Sequence, residues 1–483
     1  MKISEIRKAL KNLVSGEVFW DDEILRYYSV DASLFQIVPK VVVIPKTEND
    51  VMSVVKFANK NKISVTARGA GTGLVGSALN EGIIMDLKNF DSTKIQKNIA
   101  TVGAGTIKGN LDRGLKNHGK FFPPNPSIGP FCTLGGMMGN NSSGSRTLKY
   151  GSTIDNIKEI TFVDGQGRKI TLPNDKKTGR KVINCSRQIQ MDQFPKVSKN
   201  SCGYRLDSIG TIKDTHKVLI GSEGTLGIIL SAKIILKDLP KKRLLFVVEY
   251  QSTAIAASDC MKISDSGPSA IEFVDRSTLE NFDFDFKENV SCLLFVEYDS
   301  NLEISEKRLK ESTTGKIVKK MTKENEIEQW WKYRDSALSY SLKSINKEKQ
   351  NPHIIEDAAV PLDKLGKLFT IIGKCDKKFH TKTIMYGHAG NGNIHVRIIS
   401  SRQNMKKLEK IAEWYFDQVL ELGGTITGEH GDGIARSEFV KKQYGHKNYR
   451  IFKGLKEVFD PKNILNPGKI TSYRKRFRNL ENI

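Results

Sequence analysis

The sequence predicts an α+β protein of at least two domains, and three features carry that expectation. At 483 residues the chain exceeds what one hydrophobic core ordinarily serves. Its first half alternates short apolar strands with glycine-rich turns. Its second half carries two near-duplicate strands, LLFVVEY and SCLLFVEY, with helical stretches between and after them, the pattern of an antiparallel sheet with helices on one face.

Residues 1–37 open on MKISEIRKALKNLV, a charged amphipathic helix that is neither a signal peptide nor an acid-poor transit peptide. Over 38–238, VVVIP is a buried strand, and Val51, Val54, Val55 and Ala58 recur at helical spacing. ISVTAR, GIIMDL and IATVG are further strands, and ITFVDGQGRKITL is a hairpin turning at DGQG. Residues 173–200 are polar without periodicity, a surface insertion, and HKVLIGSEGTLGIILSAKIIL alternates strand with glycine turn. KDLPKKR marks the boundary to a second domain over 239–440. Within it, Leu408, Ile411, Ala412, Tyr415, Phe416 and Val419 define an amphipathic helix ended by Gly423 and Gly424. Residues 441–483 form a C-terminal helical segment with a basic tail, YRKRFR.

Composition narrows the function. Hydrophobic residues make up 38% and charged residues 27%, as in soluble globular proteins. No apolar run reaches the ~18–20 residues of a membrane span, and the expected location is the cytoplasm. The 77 basic residues exceed the 54 acidic ones by 23, but they are dispersed and no nucleic-acid motif accompanies them. Nucleic acid is therefore not an expected partner, whereas the tail allows peripheral contact with the inner face of a membrane. Cys132, Cys185, Cys202, Cys260, Cys292 and Cys375 are scattered without a CxxC, so the chain offers no usual iron–sulfur or thiolate zinc site.

In YGHAGNGNIHV, three glycines argue against a helix and for a glycine-rich loop running into a short strand. There Ile394, Val396 and Ile398 point one way, and His395 and Arg397 the other. His388 and His395 can serve as imidazole ligands, and Glu429 in TGEHG can add a carboxylate. Two histidines and one carboxylate leave positions open, as a catalytic divalent site requires; hydrogen-bonded core histidines are the plainer alternative. His430, beside Glu429, is a candidate general base.

Four glycine loops occur as well. ARGAGTGLVG lacks the GK[ST] of a phosphate-binding loop and is no clean GxGxxG. PPNPSIGPFCTLGGMMGNNSSGSRTLKYG has a composition suited to backbone contact with a flat ring system, and GSEGTLGII and NPGK complete the set. Together, in this order, these segments resemble the flavin domain of the vanillyl-alcohol oxidase/para-cresol methylhydroxylase superfamily. GHAGNGNIH and GEHGDG narrow the resemblance to the FAD-linked D-lactate, glycolate and D-2-hydroxyglutarate dehydrogenases.

The resemblance covers roughly 38–472 and implies a two-subdomain FAD-binding domain followed by a substrate cap domain. Arg68, Gly69, Ala70, Gly71, Thr72, Gly73, Leu74 and Gly76 would cradle the pyrophosphate. Pro124, Asn125, Thr133, Gly136, Asn140, Asn141, Ser142 and Gly144 would line the isoalloxazine and ribityl parts. Glu223, Gly227 and Ile228 would sit at the ribose and adenine end, with Asn466 returning to the flavin domain; Gly203 and Tyr204 match another stretch near the cofactor. No histidine lies in these loops, so FAD is expected without a covalent bond. The branch uses the positions of His388, His395 and Glu429 for a metal, often zinc. It also implies oxidation of a D-2-hydroxy acid, with hydride passing to flavin N5.

Arg334 occupies the position of a substrate-carboxylate arginine, Arg397 makes room for a second carboxylate, and Arg436 is a weaker candidate. Two departures stand out: Asn391 replaces a frequent Asp, and IIEDAAVP lacks a lysine found in some 2-hydroxyglutarate enzymes. Expected partners are a small 2-hydroxy acid and a separate electron acceptor, either an iron–sulfur subunit, an electron-transfer flavoprotein or a quinone. A homodimer is compatible with this. The alternatives are a non-redox enzyme of the alkyl-glycerone-phosphate synthase type and a non-catalytic FAD-binding subunit of a larger complex.

Overall fold

The computed structural model describes residues 2–279, 282, 286–337, 339, 349–350, 355–401 and 405–473. Almost all of the basic tail therefore lies outside the described residues.

Val41–Ile44 and Val65–Arg68 both run parallel to Ile83–Asp86, which lies between them. Every residue of 41–44 and 83–86 is buried, as befits parallel strands covered on both faces. The crossover helix Glu48–Asn61 starts at Thr47, whose side chain accepts the Asp50 N–H while the Asp50 carboxylate accepts the Thr47 N–H. Its buried stripe is Val51, Val54, Val55 and Ala58, the spacing read from the sequence. Glu17–Phe19 pairs antiparallel with Val41–Ile44, so the segment 1–37, expected to be helical, also contributes an edge strand to this sheet.

A second, antiparallel sheet has the order 93–96, 99–103, 228–235, 157–163, 169–172. Two expectations change here. Within 173–200 lies a helix, Lys176–Ser186, capped by Asp175. Its short apolar stripe, Val182 and Ile183, is buried and was hidden among the charges of its outer face. The stretch Ile212–Leu219 is a 3₁₀ helix rather than a strand, because Thr211 and Asp214 form a capping box that starts a turn.

The third sheet runs 316–321, 244–250, 292–298, 270–275, 382–388, 393–401, and both 349–350 and 358–359 pair with 393–401. The near-duplicate strands are direct neighbours, with Leu244 opposite Tyr298. Helices Thr253–Ser264, Leu365–Phe379 and Met405–Glu421 pack on one face. Phe282, Trp330 and Trp331 join Leu293 and Phe295 in a separate cluster. Cover on both faces explains why these strands are nearly uninterrupted apolar runs. Helix Gly433–Phe459, kinked at Gly445 (φ 71°), carries the chain back to the first part. There Phe452 packs on Tyr204, and Phe459 on Phe162. The boundary expected at 440/441 thus falls inside one helix. Among the described residues no helix is long and apolar enough to cross a membrane.

Candidate active site at the domain junction

The stretch around the two histidines is a hairpin. Lys382–His388 pairs with Asn393–Ser401, placing Tyr386 opposite His395 and His388 opposite Asn393. The loop expected before the strand is strand through His388 and then a tight turn over 389–392, and the period-two rule puts Tyr386, His388, His395 and Arg397 on one face. The glycines permit close approach. Gly392 has φ 63°, and a Cβ there would lie 2.0 Å from the Val360 carbonyl oxygen; one on Gly390 would meet the Leu148 side chain at 2.8 Å.

Glu429 meets this face. Its Oε1 lies 3.1 Å from His388 Nε2 and 3.2 Å from His395 Nε2. Its Oε2 accepts from Lys199 Nζ at 3.0 Å and from the Ser143 hydroxyl. Burial alone would raise the Glu429 carboxyl, but Lys199 and His388 outweigh it and hold the group well below the usual carboxylate range. Burial lowers both Lys199 and His395. His388 Nδ1 faces the Glu272 carboxylate at 2.8 Å. A carboxylate there keeps the proton on Nδ1 and turns the Nε2 lone pair toward Glu429. A lone pair facing an ionised oxygen at 3.1 Å, with a second imidazole nitrogen alongside, is a donor set that fits a divalent cation. Asp357, His395, Glu429 and His430 also cluster within 4.8 Å. Asp357, however, is engaged by the backbone N–H groups of Glu429 and His430 and by the Thr427 hydroxyl, so it clamps the GEHGDG loop.

His430 stacks on His395, with centroids 5.2 Å apart and planes 7° off parallel. Its Nδ1 lies 3.3 Å from Glu356 Oε1, and its Nε2 lies 3.9 Å from Glu429 Oε1. Burial lowers its pKa, but Asp357 and Glu356 more than compensate and the net direction is upward. Arg334, buried, pairs with Glu272, and its Nη2 lies 3.4 Å from His388 Nδ1. Arg397 pairs with Glu356 and donates from Nε to the Tyr386 hydroxyl at 3.1 Å. Arg436 is spent on the Glu356 and Gly431 carbonyls. Asn391 donates to Ser198 rather than facing the histidines.

Two cavities meet here. One, of about 410 Å³, is lined by Arg146, Arg334, Tyr386, His388, His395 and Arg397, among others; Leu74, Pro126, Ser127, Asp335, Glu429 and His430 line both. The other, of about 490 Å³, is walled by Arg68, Gly69, Ala70, Gly71, Thr72, Gly73, Leu74, Thr133, Gly136, Asn140, Ser142, Glu223 and Gly227. Backbone amides and small side chains on this scale form a cradle for a dinucleotide. Asn125 and Gly144 line only the first cavity.

Five expected flavin residues line neither cavity. Gly76 (φ 75°) sits tight against Phe35 and Ile434, and Pro124 is buried. Asn141 bridges the Asn200 carbonyl and the Ile154 N–H, and Ile228 points into the core. Asn466 ties Ser77, Glu223 and Thr66 together. Glu223 lines the larger cavity and also accepts the Gly433 N–H at 2.9 Å, on the GEHGDG side. Gly203 donates to Asp432, and the Tyr204 hydroxyl meets Thr225.

The sequence reading missed Lys199, Glu272, Glu356, Asp357, Ser143 and Tyr386. An acid inside an apolar strand, as in AIEFVD, is the signal that marks Glu272. Tyr386 is two residues before His388 and shares its face. Lys199 lies in a segment with no periodicity to flag it.

Two family models match the chain: "FAD binding domain" over 39–172 and "FAD linked oxidases, C-terminal domain" over 239–470. The glycolate oxidase subunit GlcD of Bacillus subtilis (strain 168) is 29% identical, with 97% of each chain covered. The D-2-hydroxyglutarate dehydrogenase of Pseudomonas putida is 28% identical over 96% of this chain but only 52% of its own length. Among solved structures, an alkyldihydroxyacetonephosphate synthase superposes with a TM-score of 0.69 at 17% identity, covering 97% of this chain and 85% of that one. At that identity the likeness shows a shared fold.

Proposed function

We propose, from the premise that the chain belongs to the FAD-linked D-lactate, glycolate and D-2-hydroxyglutarate dehydrogenase family of the vanillyl-alcohol oxidase type, that it oxidises a D-2-hydroxy acid to the 2-oxo acid with the help of a divalent metal. The carrying observation is the approach of Glu429 Oε1 to His388 Nε2 and His395 Nε2, at 3.1 and 3.2 Å, where the two cavities join. His388, His395 and Glu429 would hold the ion, zinc by the resemblance. The residues of the larger cavity would hold FAD without a covalent bond.

When bound, FAD supplies the acceptor for a hydride, and a divalent ion supplies Lewis acidity that eases ionisation of the substrate hydroxyl. His430 takes the hydroxyl proton at Nε2, with Glu356 and Asp357 on its Nδ1 side. Arg334 and Arg397 hold the substrate carboxylate side. Leu74 and Pro126, shared by both cavities, help exclude water from the junction. Electrons then pass to a separate acceptor, either an iron–sulfur subunit, an electron-transfer flavoprotein or a quinone. The protein would work in the cytoplasm, with peripheral contact at the inner face of the membrane.

Anaerobic mixing with D- and L-lactate, glycolate and D-2-hydroxyglutarate tests this. Bleaching of the yellow flavin by one or more of the D-acids or glycolate is expected. A yellow, metal-replete protein that none of them bleaches would sink the reading and favour a non-redox or accessory role. The convergent histidine–glutamate set argues against both of those, since neither role requires it.

A further inference from the structure

Tyr386 belongs to the same sheet face as the two histidines, yet no role has been given to it. Its ring is buried and tilted against His395, with centroids 5.2 Å apart. The hydroxyl accepts a hydrogen bond from Arg397 Nε at 3.1 Å. Among the described residues that hydroxyl donates to nothing, so its proton lacks an acceptor. The residue lines the cavity that also contains His388, His395, Glu429 and His430.

The neighbouring arginines are already engaged. Arg397 turns Nη1 to Glu356, and Arg334 turns Nη2 to Glu272. Neither presents its whole fork to a ligand. A buried donor left without an acceptor costs free energy, which a ligand oxygen arriving in the cavity would recover. A phenol that already accepts from a guanidinium is also a stronger donor, because successive hydrogen bonds polarise one another.

We propose that Tyr386 is a substrate-binding residue whose hydroxyl, polarised by Arg397, donates a hydrogen bond to the carboxylate of the bound ligand. Arg397, on the carboxylate side of the cavity, then also positions and polarises the phenol through its Nε. The inference rests on the reading that the cavity takes a 2-hydroxy acid, and it adds the group that recognises that acid's carboxylate.

The test compares wild type with Tyr386→Phe, which keeps the ring and removes only the hydroxyl. Three quantities are read: metal and flavin content, the anaerobic bleaching rate against hydroxy-acid concentration, and the Kd of oxalate from the flavin difference spectrum. Content should be unchanged, and the limiting bleaching rate should stay within roughly threefold. The half-saturating acid concentration and the oxalate Kd should both rise roughly 10- to 100-fold, the range of a hydrogen bond to a charged group. Unchanged half-saturation and unchanged oxalate affinity overturn the proposal. So does a fall in limiting rate alone, which would put Tyr386 in the chemical step. If wild type binds oxalate but no hydroxy acid bleaches it, the functional reading falls while the oxalate comparison still decides the role of Tyr386. If wild type does neither, both fall.

Discussion

One oxygen of Glu429 faces two imidazoles while the other takes a lysine and a serine hydroxyl, and this division determines what each neighbouring residue can do. Replacing His388 by Ala removes one arm of the proposed ion site and strands the buried Glu272 carboxylate beside Arg334. The protein should remain yellow but lose its metal, read by elemental analysis after gel filtration. His430→Ala should behave differently: FAD and metal stay, and the anaerobic flavin-reduction rate falls at least about 100-fold, the usual contribution of a general base. Reduction of His430→Ala at the wild-type rate would remove that assignment.

At the scale of elements, the 382–401 hairpin shows what could and could not be read in the chain. The alternation of NIHVRII identified the second strand and the shared face of His395 and Arg397 directly. The first strand was obscured because Gly387 interrupts its end and Gly390 and Gly392 follow at once in the turn, where each permits close approach to a neighbouring residue. Helix 176–186 was hidden for the opposite reason, a few apolar residues under many charges. The buried acids Glu272, Glu356 and Asp357 act only through contacts between segments distant in sequence, and spacing within one segment cannot reveal those. Gly392→Ala follows from the hairpin geometry. With φ at 63° and the Val360 carbonyl 2.0 Å away, it should destabilise the protein by roughly 1–3 kcal/mol and lower metal content, measured by chemical denaturation and elemental analysis.

Across the whole molecule, the site is assembled from both halves of the chain. Buried Glu272, Glu356 and Asp357 are matched by Arg334, Arg397 and Arg436, and Glu429 by Lys199. These acids thus have cationic partners within the protein itself. A chelator should therefore abolish hydroxy-acid-driven bleaching while far-UV circular dichroism and bound flavin stay unchanged. Loss of secondary structure on chelation would show that the ion is structural.

Ser143 leads from the wall of the larger cavity straight to a carboxylate on the far side of the junction. Whatever settles that wall also settles the orientation of Glu429, so the proposed flavin and ion sites should communicate. Thermodynamic reciprocity then requires that flavin tighten zinc by the same factor as zinc tightens flavin. Titrating each into protein stripped of the other should return equal ratios, and Ser143→Ala should bring both closer to one.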